Sequence, residues 1–232
     1  MVGAALPADC GAGGPAGAPV GGRAFESVAF WDARYAVDAS EFEWYAAPAA
    51  AAALAALERV APAGRGRRPS VLDLGCGTSR LPADAAAAGY LVLAVDVSSI
   101  AVHAAAASSR EENASRGSRP DFLVADATRL PLRPARFDAV LDKGTADALD
   151  CGGDEGAARL LGEAARASRV GGAVVMVSCR DAVRRTADFK AVPTLTLVSV
   201  ADVGGEPGKP CPDAVVLVAT VGPPAALSEG RE

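Results

Sequence analysis

The chain predicts a doubly wound α/β fold, in which a parallel sheet is closed by a C-terminal antiparallel hairpin and carries helices on both faces. Three observations lead there. From Ser70 onward, short apolar β-branched runs alternate with Ala-rich helical runs, the pattern of parallel strands joined by crossover helices. Half of the 232 residues are hydrophobic, yet only two Trp, three Tyr and six Phe occur. The core must therefore be built of Ala, Val and Leu, which suits helices packed on a buried parallel sheet. The last two apolar runs are separated by no helical pattern, only by Val203 to Pro210 and its neighbours, a connection that favours an antiparallel pair.

The elements follow in order. Residues 1–22 are mostly Gly, Ala and Pro and read as a flexible tail, with one domain over 23–232. Phe25 to Tyr45 holds Phe25, Phe30, Trp31, Tyr35, Phe42, Trp44 and Tyr45, most of the chain's aromatics, and reads as a helix pair capping the sheet. Ala49 to Val60 is a strong helix former, ended by the Pro- and Gly-containing connector Ala61 to Pro69. Strands are predicted at Val71 to Leu74, Leu91 to Val95, Phe122 to Ala125, Phe137 to Leu141 and Ala173 to Ser178, then Leu195 to Val200 and Ala214 to Ala219.

Composition narrows the function. The net charge of −5 gives no electrostatic reason for a nucleic-acid partner. Five dispersed cysteines contain no Cys-x-x-Cys pair, and the one histidine, His103, lies in an Ala-rich helical run. Neither a metal site nor a histidine-based hydrolase triad is expected. The tail has no Lys or Arg, and the longest apolar stretch, Ala46 to Leu57, contains Pro48 and is too short to span a bilayer. The expectation is a cytoplasmic protein without a membrane segment; the oligomeric state is not legible.

The densest chemistry lies at the predicted strand ends. Val71-Leu72-Asp73-Leu74-Gly75-Cys76-Gly77 runs from strand through Gly75 and Gly77 into helix, a turn that lets a nucleotide-like ligand approach the backbone. The third glycine of a pyrophosphate-binding fingerprint is replaced by Arg80. Asp73 beside the first glycine would repel a pyrophosphate, but can accept from the cationic amino-acid end of S-adenosylmethionine, directly or through water. The second strand ends at Asp96-Val97, where an acid can take both ribose hydroxyls, and the third at Asp126-Ala127, where a carboxylate and an N–H suit adenine. Any one of these acids could be only a helix N-cap; three in a row make a cofactor edge.

The fourth strand ends in Asp142-Lys143-Gly144-Thr145-Ala146-Asp147-Ala148-Leu149. This run resembles the class I methyltransferase family that contains the lysine methyltransferases of elongation factor 1-alpha and of citrate synthase. Trp31-Asp32-Ala33-Arg34-Tyr35 and Glu43-Trp44-Tyr45 are similar to that family's N-terminal elements. The resemblance implies a Rossmann-like fold, S-adenosylmethionine as cofactor, Trp31, Tyr35 and Trp44 closing over it, and Gly75, Asp96, Val97, Asp126, Ala127 and Lys143 lining it. It also implies a protein-lysine acceptor, with an elongation-factor-like target favoured over a mitochondrial one by the non-basic tail. Ala146 departs from the family's bulkier residue, which is expected to widen the acceptor side. A small-molecule acceptor is the alternative; an NAD-dependent oxidoreductase or a non-catalytic cofactor-binding partner protein are the others. No catalytic base is assigned, Asp142 and Asp147 both being placed to orient an amine.

Overall fold

The computed structural model describes residues 27–41, 45, 48–64, 66–112, 118–151, 155–203 and 214–223. The predicted tail, together with Phe25, Phe42 and Trp44, lies outside them. In chain order the elements are α1 (Val28–Val37), α2 (Pro48–Val60), β1 (Ser70–Leu74), α3 (Leu81–Ala87), β2 (Leu91–Asp96), α4 (Ser99–Glu112), β3 (Asp121–Val124), β4 (Phe137–Lys143), α5 (Thr145–Asp150), α6 (Gly156–Ala167), β5 (Ser168–Ser178), α7 (Ala182–Lys190), β6 (Leu195–Asp202) and β7 (Val215–Val221).

The seven strands form one sheet in the order β3-β2-β1-β4-β5-β7-β6. The pairs from β3 through β5 are parallel, and β7 runs antiparallel to both β5 and β6. The hairpin is therefore present, but its returning strand is inserted: β6 lies outermost and parallel to β5, and only β7 is reversed. Chain direction across the sheet switches between β1 and β4, and a crevice opens outside the carboxyl ends of strands at such a point.

Alternation along each strand feeds two cores. Leu72, Val140, Val174 and Met176 face Leu160, Leu161 and Ala164 of α6 and Phe189 of α7. Val71, Leu141, Val175 and Val177 face Ala49, Ala53, Ala56 and Leu57 of α2 and Leu81 and Ala85 of α3. The spacing of those α2 residues is a single helical face. Its alanines let the backbone lie close to the sheet, which explains a core with so few aromatics.

Strand boundaries shift by one or two residues from the sequence reading, and two departures are larger. β5 starts five residues earlier than Ala173, at Ser168, which pairs with Phe137; the exposed Arg169, Val170 and Gly171 and a register shift between Phe137 and Ala139 interrupt the apolar run there. The expected helix pair over 25–45 is one described helix, α1, with α2 starting at Pro48. His103 is exposed on α4, its ring nitrogen 2.6 Å from the Ser99 carbonyl, as filler would be. No helix among the described residues is long and apolar enough to cross a membrane.

Candidate cofactor and methyl-transfer site

The turn after β1 is the floor of the site. Gly75 and Gly77 have φ of +67° and +50°, a region that L side chains rarely adopt. A Cβ on Gly75 would fall 2.0 Å from Thr145 Oγ1, and one on Gly77 would fall 2.6 Å from the Tyr35 hydroxyl. Glycine is thus required twice over, by dihedral and by space. The Thr145 hydroxyl donates to the Leu74 carbonyl at 2.8 Å and ties α5 to the turn.

Asp96, at the end of β2, accepts from the Gly77 N–H and the Ser98 N–H, both at 2.8 Å. Burial pushes its carboxyl up, and these N–H groups oppose that shift. Asp126, after β3, takes the Thr128 N–H (2.8 Å) and hydroxyl (2.7 Å) on one oxygen. On the other side of β1, Lys143 ends β4 and is mostly buried, its ammonium 6.0 Å from the Tyr45 ring centroid. The roof comes from α1, where Trp31 and Tyr35 stack at 5.9 Å. α1 is fixed by Asp32, which accepts from Ser98 Oγ at 2.6 Å, and by the following Ser40 carbonyl, which accepts from Thr78 at 2.8 Å.

These walls enclose a cleft of about 240 Å³. Of the residues singled out in the sequence, Trp31, Tyr35, Gly75, Gly77, Asp96, Val97, Asp126, Ala127 and Lys143 all line it. Trp44 lies outside the described residues. Asp73 does not line it: it is buried behind the turn, where its charge helps raise the Cys76 thiol and the Asp142 carboxyl. The sequence reading did not assign Val28, Cys76, Ser79, Thr128, Gly144, Thr145, Ala148, Leu149 and Arg159, which also line the cleft. Gly144, Thr145, Ala148 and Leu149 stand in the quoted motif; Arg159, on α6, carries no local signal.

Two expectations about the motif are corrected. Ala146 is fully buried, belongs to the same core cluster as Leu74 and Leu160, and does not line the cleft, so its size alters packing and not the acceptor side. Asp142 and Asp147 do not line the cleft; both turn into a buried network. Asp142, 2% exposed, takes the Thr145 and Ala146 N–H groups on one oxygen, while the other has no hydrogen-bond partner among the described residues. Burial and then the Asp147 charge push its carboxyl up to about 7.

The donor set fits S-adenosylmethionine. It combines a carboxylate for a diol, a carboxylate and N–H for an aminopurine, an ammonium for a carboxylate, and aromatic faces for a sulfonium. Two glycines leave the backbone bare where the ligand approaches it.

Comparison with known proteins agrees. Residues 72–176 match the family described as Methyltransferase domain. The chain is 35% identical over 120 residues to the eEF1A lysine and N-terminal methyltransferase of Bos taurus, covering 50% of this chain and 17% of that protein. With the protein of the same description from Homo sapiens it shares 30% over 170 residues, 71% of this chain and 23% of the relative. The chain thus spans about a fifth of the length of these relatives. In fold it resembles the N-methyltransferase NodS of Bradyrhizobium japonicum WM9 in complex with S-adenosyl-L-homocysteine, with TM-score 0.62 and 16% identity, over 86% of this chain and 98% of that one. Residues 72–176 thus match a methyltransferase domain, the fold is Rossmann-like, and these likenesses support S-adenosylmethionine as the cofactor. Within that class it resembles the elongation factor 1-alpha lysine methyltransferases.

Proposed function

We propose that this protein methylates a lysine side chain of another protein, with an elongation-factor-like cytosolic target favoured. One observation carries the reading. The run by which the sequence resembles the lysine methyltransferases of elongation factor 1-alpha also builds the rim of the cleft, since Lys143, Gly144, Thr145, Ala148 and Leu149 all line it.

S-adenosylmethionine supplies an electrophilic methyl group on a cationic sulfur. The chain's residues have to bind it, exclude water and admit an aligned amine. In this reading Asp96 holds the ribose, Asp126 and Ala127 the adenine, and Lys143 the carboxylate of the amino-acid end. Gly75 and Gly77 let the backbone lie against the ligand, and Asp73 adds negative potential from behind. Trp31 and Tyr35 cover the cation. A lysine acceptor must first lose a proton, at a cost of about 4 kcal/mol at about pH 7.4 from its ordinary pKa. An apolar mouth lowers that cost, and Val28, Ala148 and Leu149 provide apolar lining.

The test uses methyl-tritiated S-adenosylmethionine, with purified elongation factor 1-alpha and a dialysed cytosolic protein extract as acceptors and the small-molecule fraction beside them. Label retained on protein and recovered as methyl-lysine after hydrolysis is the expected result. Label found only in the dialysable fraction would overturn the reading in favour of a small-molecule acceptor.

A further inference from the structure

We infer that Arg185 is a positioning residue for the methyl-donor site, acting through Asp147 and Tyr45 on the part of the cleft that takes the amino-acid end of S-adenosylmethionine. The inference rests on the residue roles proposed above. Arg185 lies on α7, away from the cleft, and is fully buried. Its Nε donates to Ser178 Oγ at 3.0 Å and its Nη1 to Asp188 at 2.8 Å. Its Nη2 lies 2.5 Å from Asp147 and 2.8 Å from Asp150.

Asp147 passes this constraint on. One of its oxygens takes Arg185 and the Ser178 hydroxyl (2.5 Å); the other takes the Cys179 N–H (2.8 Å) and the Tyr45 hydroxyl (2.5 Å). The Tyr45 ring stands over Lys143, and its hydroxyl oxygen lies where a Cβ on Gly144 would come within 3.0 Å. Lys143 and Gly144 line the cleft, whereas Tyr45, Asp147 and Arg185 do not. An unbroken series of contacts therefore runs from α7 to the rim and touches the cleft only at its last members.

The sheet order identifies the part of the ligand affected. β4 lies on the opposite side of β1 from β2 and β3. With ribose and adenine at the ends of β2 and β3, the rim at the end of β4 is left for the amino-acid end. The cluster is also a poor route to stability, because apolar groups of similar volume often serve as well or better than buried ion pairs. What a guanidinium bonded through each of its three nitrogens supplies is a fixed position for its partners.

The experiment titrates S-adenosylhomocysteine and 5′-methylthioadenosine into the full chain, as wild type, Tyr45→Phe and Arg185→Lys. The second ligand shares adenine, ribose and sulfur with the first but lacks the amino-acid end. Both variants are expected to weaken S-adenosylhomocysteine about fivefold or more, the worth of one displaced hydrogen bond, and to leave methylthioadenosine within about twofold. Tyr45→Phe removes one hydroxyl and keeps the ring, so it decides the matter even if Arg185→Lys does not fold. Equal weakening of both ligands would mean general loosening and overturn the inference, as would no weakening of either. Failure of the wild type to bind S-adenosylhomocysteine would overturn it together with the residue roles beneath it.

Discussion

Thr145 Oγ1 occupies the space that a side chain on Gly75 would need, and the same hydroxyl donates to the Leu74 carbonyl. Two segments seventy residues apart thus share one small volume at the floor of the cleft. Gly75→Ala is expected to cost about 1–3 kcal/mol from the positive φ alone, with more from overlap, and to abolish measurable S-adenosylhomocysteine binding. Adding Thr145→Ala removes the two nearest overlapping atoms and should restore part of the melting temperature but little of the binding. Thermal unfolding and calorimetry of the single and double variants check this.

Trp31 lines the cleft and stacks on Tyr35. If its face meets a cationic sulfur, Trp31→Ala should discriminate by charge. A cation over a ring gains about 0.5–2 kcal/mol, or roughly 2- to 30-fold in affinity. S-adenosylmethionine should weaken by that factor more than S-adenosylhomocysteine, whose sulfur is neutral. An unchanged affinity ratio would remove Trp31 from the sulfonium.

Asp142 gives stability an unusual pH dependence. Its folded carboxyl is raised from 3.8 to about 7, so the folded state binds the extra proton across that interval. Its contribution is full below about pH 4 and is lost as pH rises to about 7, a change of at most about 4 kcal/mol. Asp142→Asn cannot titrate. Its stability relative to wild type should rise across this window and level off above it, as urea unfolding at successive pH values would show.

Asp138 has the opposite sign. At the start of β4 it takes the Ser70 N–H (2.7 Å) and hydroxyl (2.9 Å) and pairs with both Arg67 and Arg169. Burial works against ionisation, but these partners hold its carboxyl down to about 2. It therefore stabilises the fold above about pH 4, and that contribution is lost as pH falls through about 2. Asp138→Asn should cost about 1–2 kcal/mol at pH 7, allowing for the exposure of both arginines, and the gap should close toward pH 2.

Much of this architecture is legible along the chain because strands and crossover helices announce themselves locally, by β-branched runs and by alanine-rich ones. The acids at the ends of β2 and β3 were readable for the same reason, since the end of a strand is a local feature. Asp73 shows the limit. It precedes the turn by two residues, but pleat alternation and burial decide where its side chain goes, and these place it behind the cleft. Ala146 and Asp147 show it again: a motif names residues without saying which of them face the ligand. The partners of Asp147 come from before α2, the end of β5 and α7, a meeting that exists only once the sheet has assembled. The insertion of β7 between β5 and β6 was hidden likewise, because a hairpin reads the same whichever of its strands lies inside.

That insertion bears on how the molecule is made. Among the described residues β6 pairs only with β7, and β7 also pairs with β5. During synthesis β6 emerges with no strand to join, and β5 keeps a raw edge until Val215–Val221 has left the ribosome. The interval exposes an apolar strand edge of the kind that invites aggregation. Closure of the sheet is in this sense a late, long-range event, in which a strand made after β6 takes the place between β5 and β6.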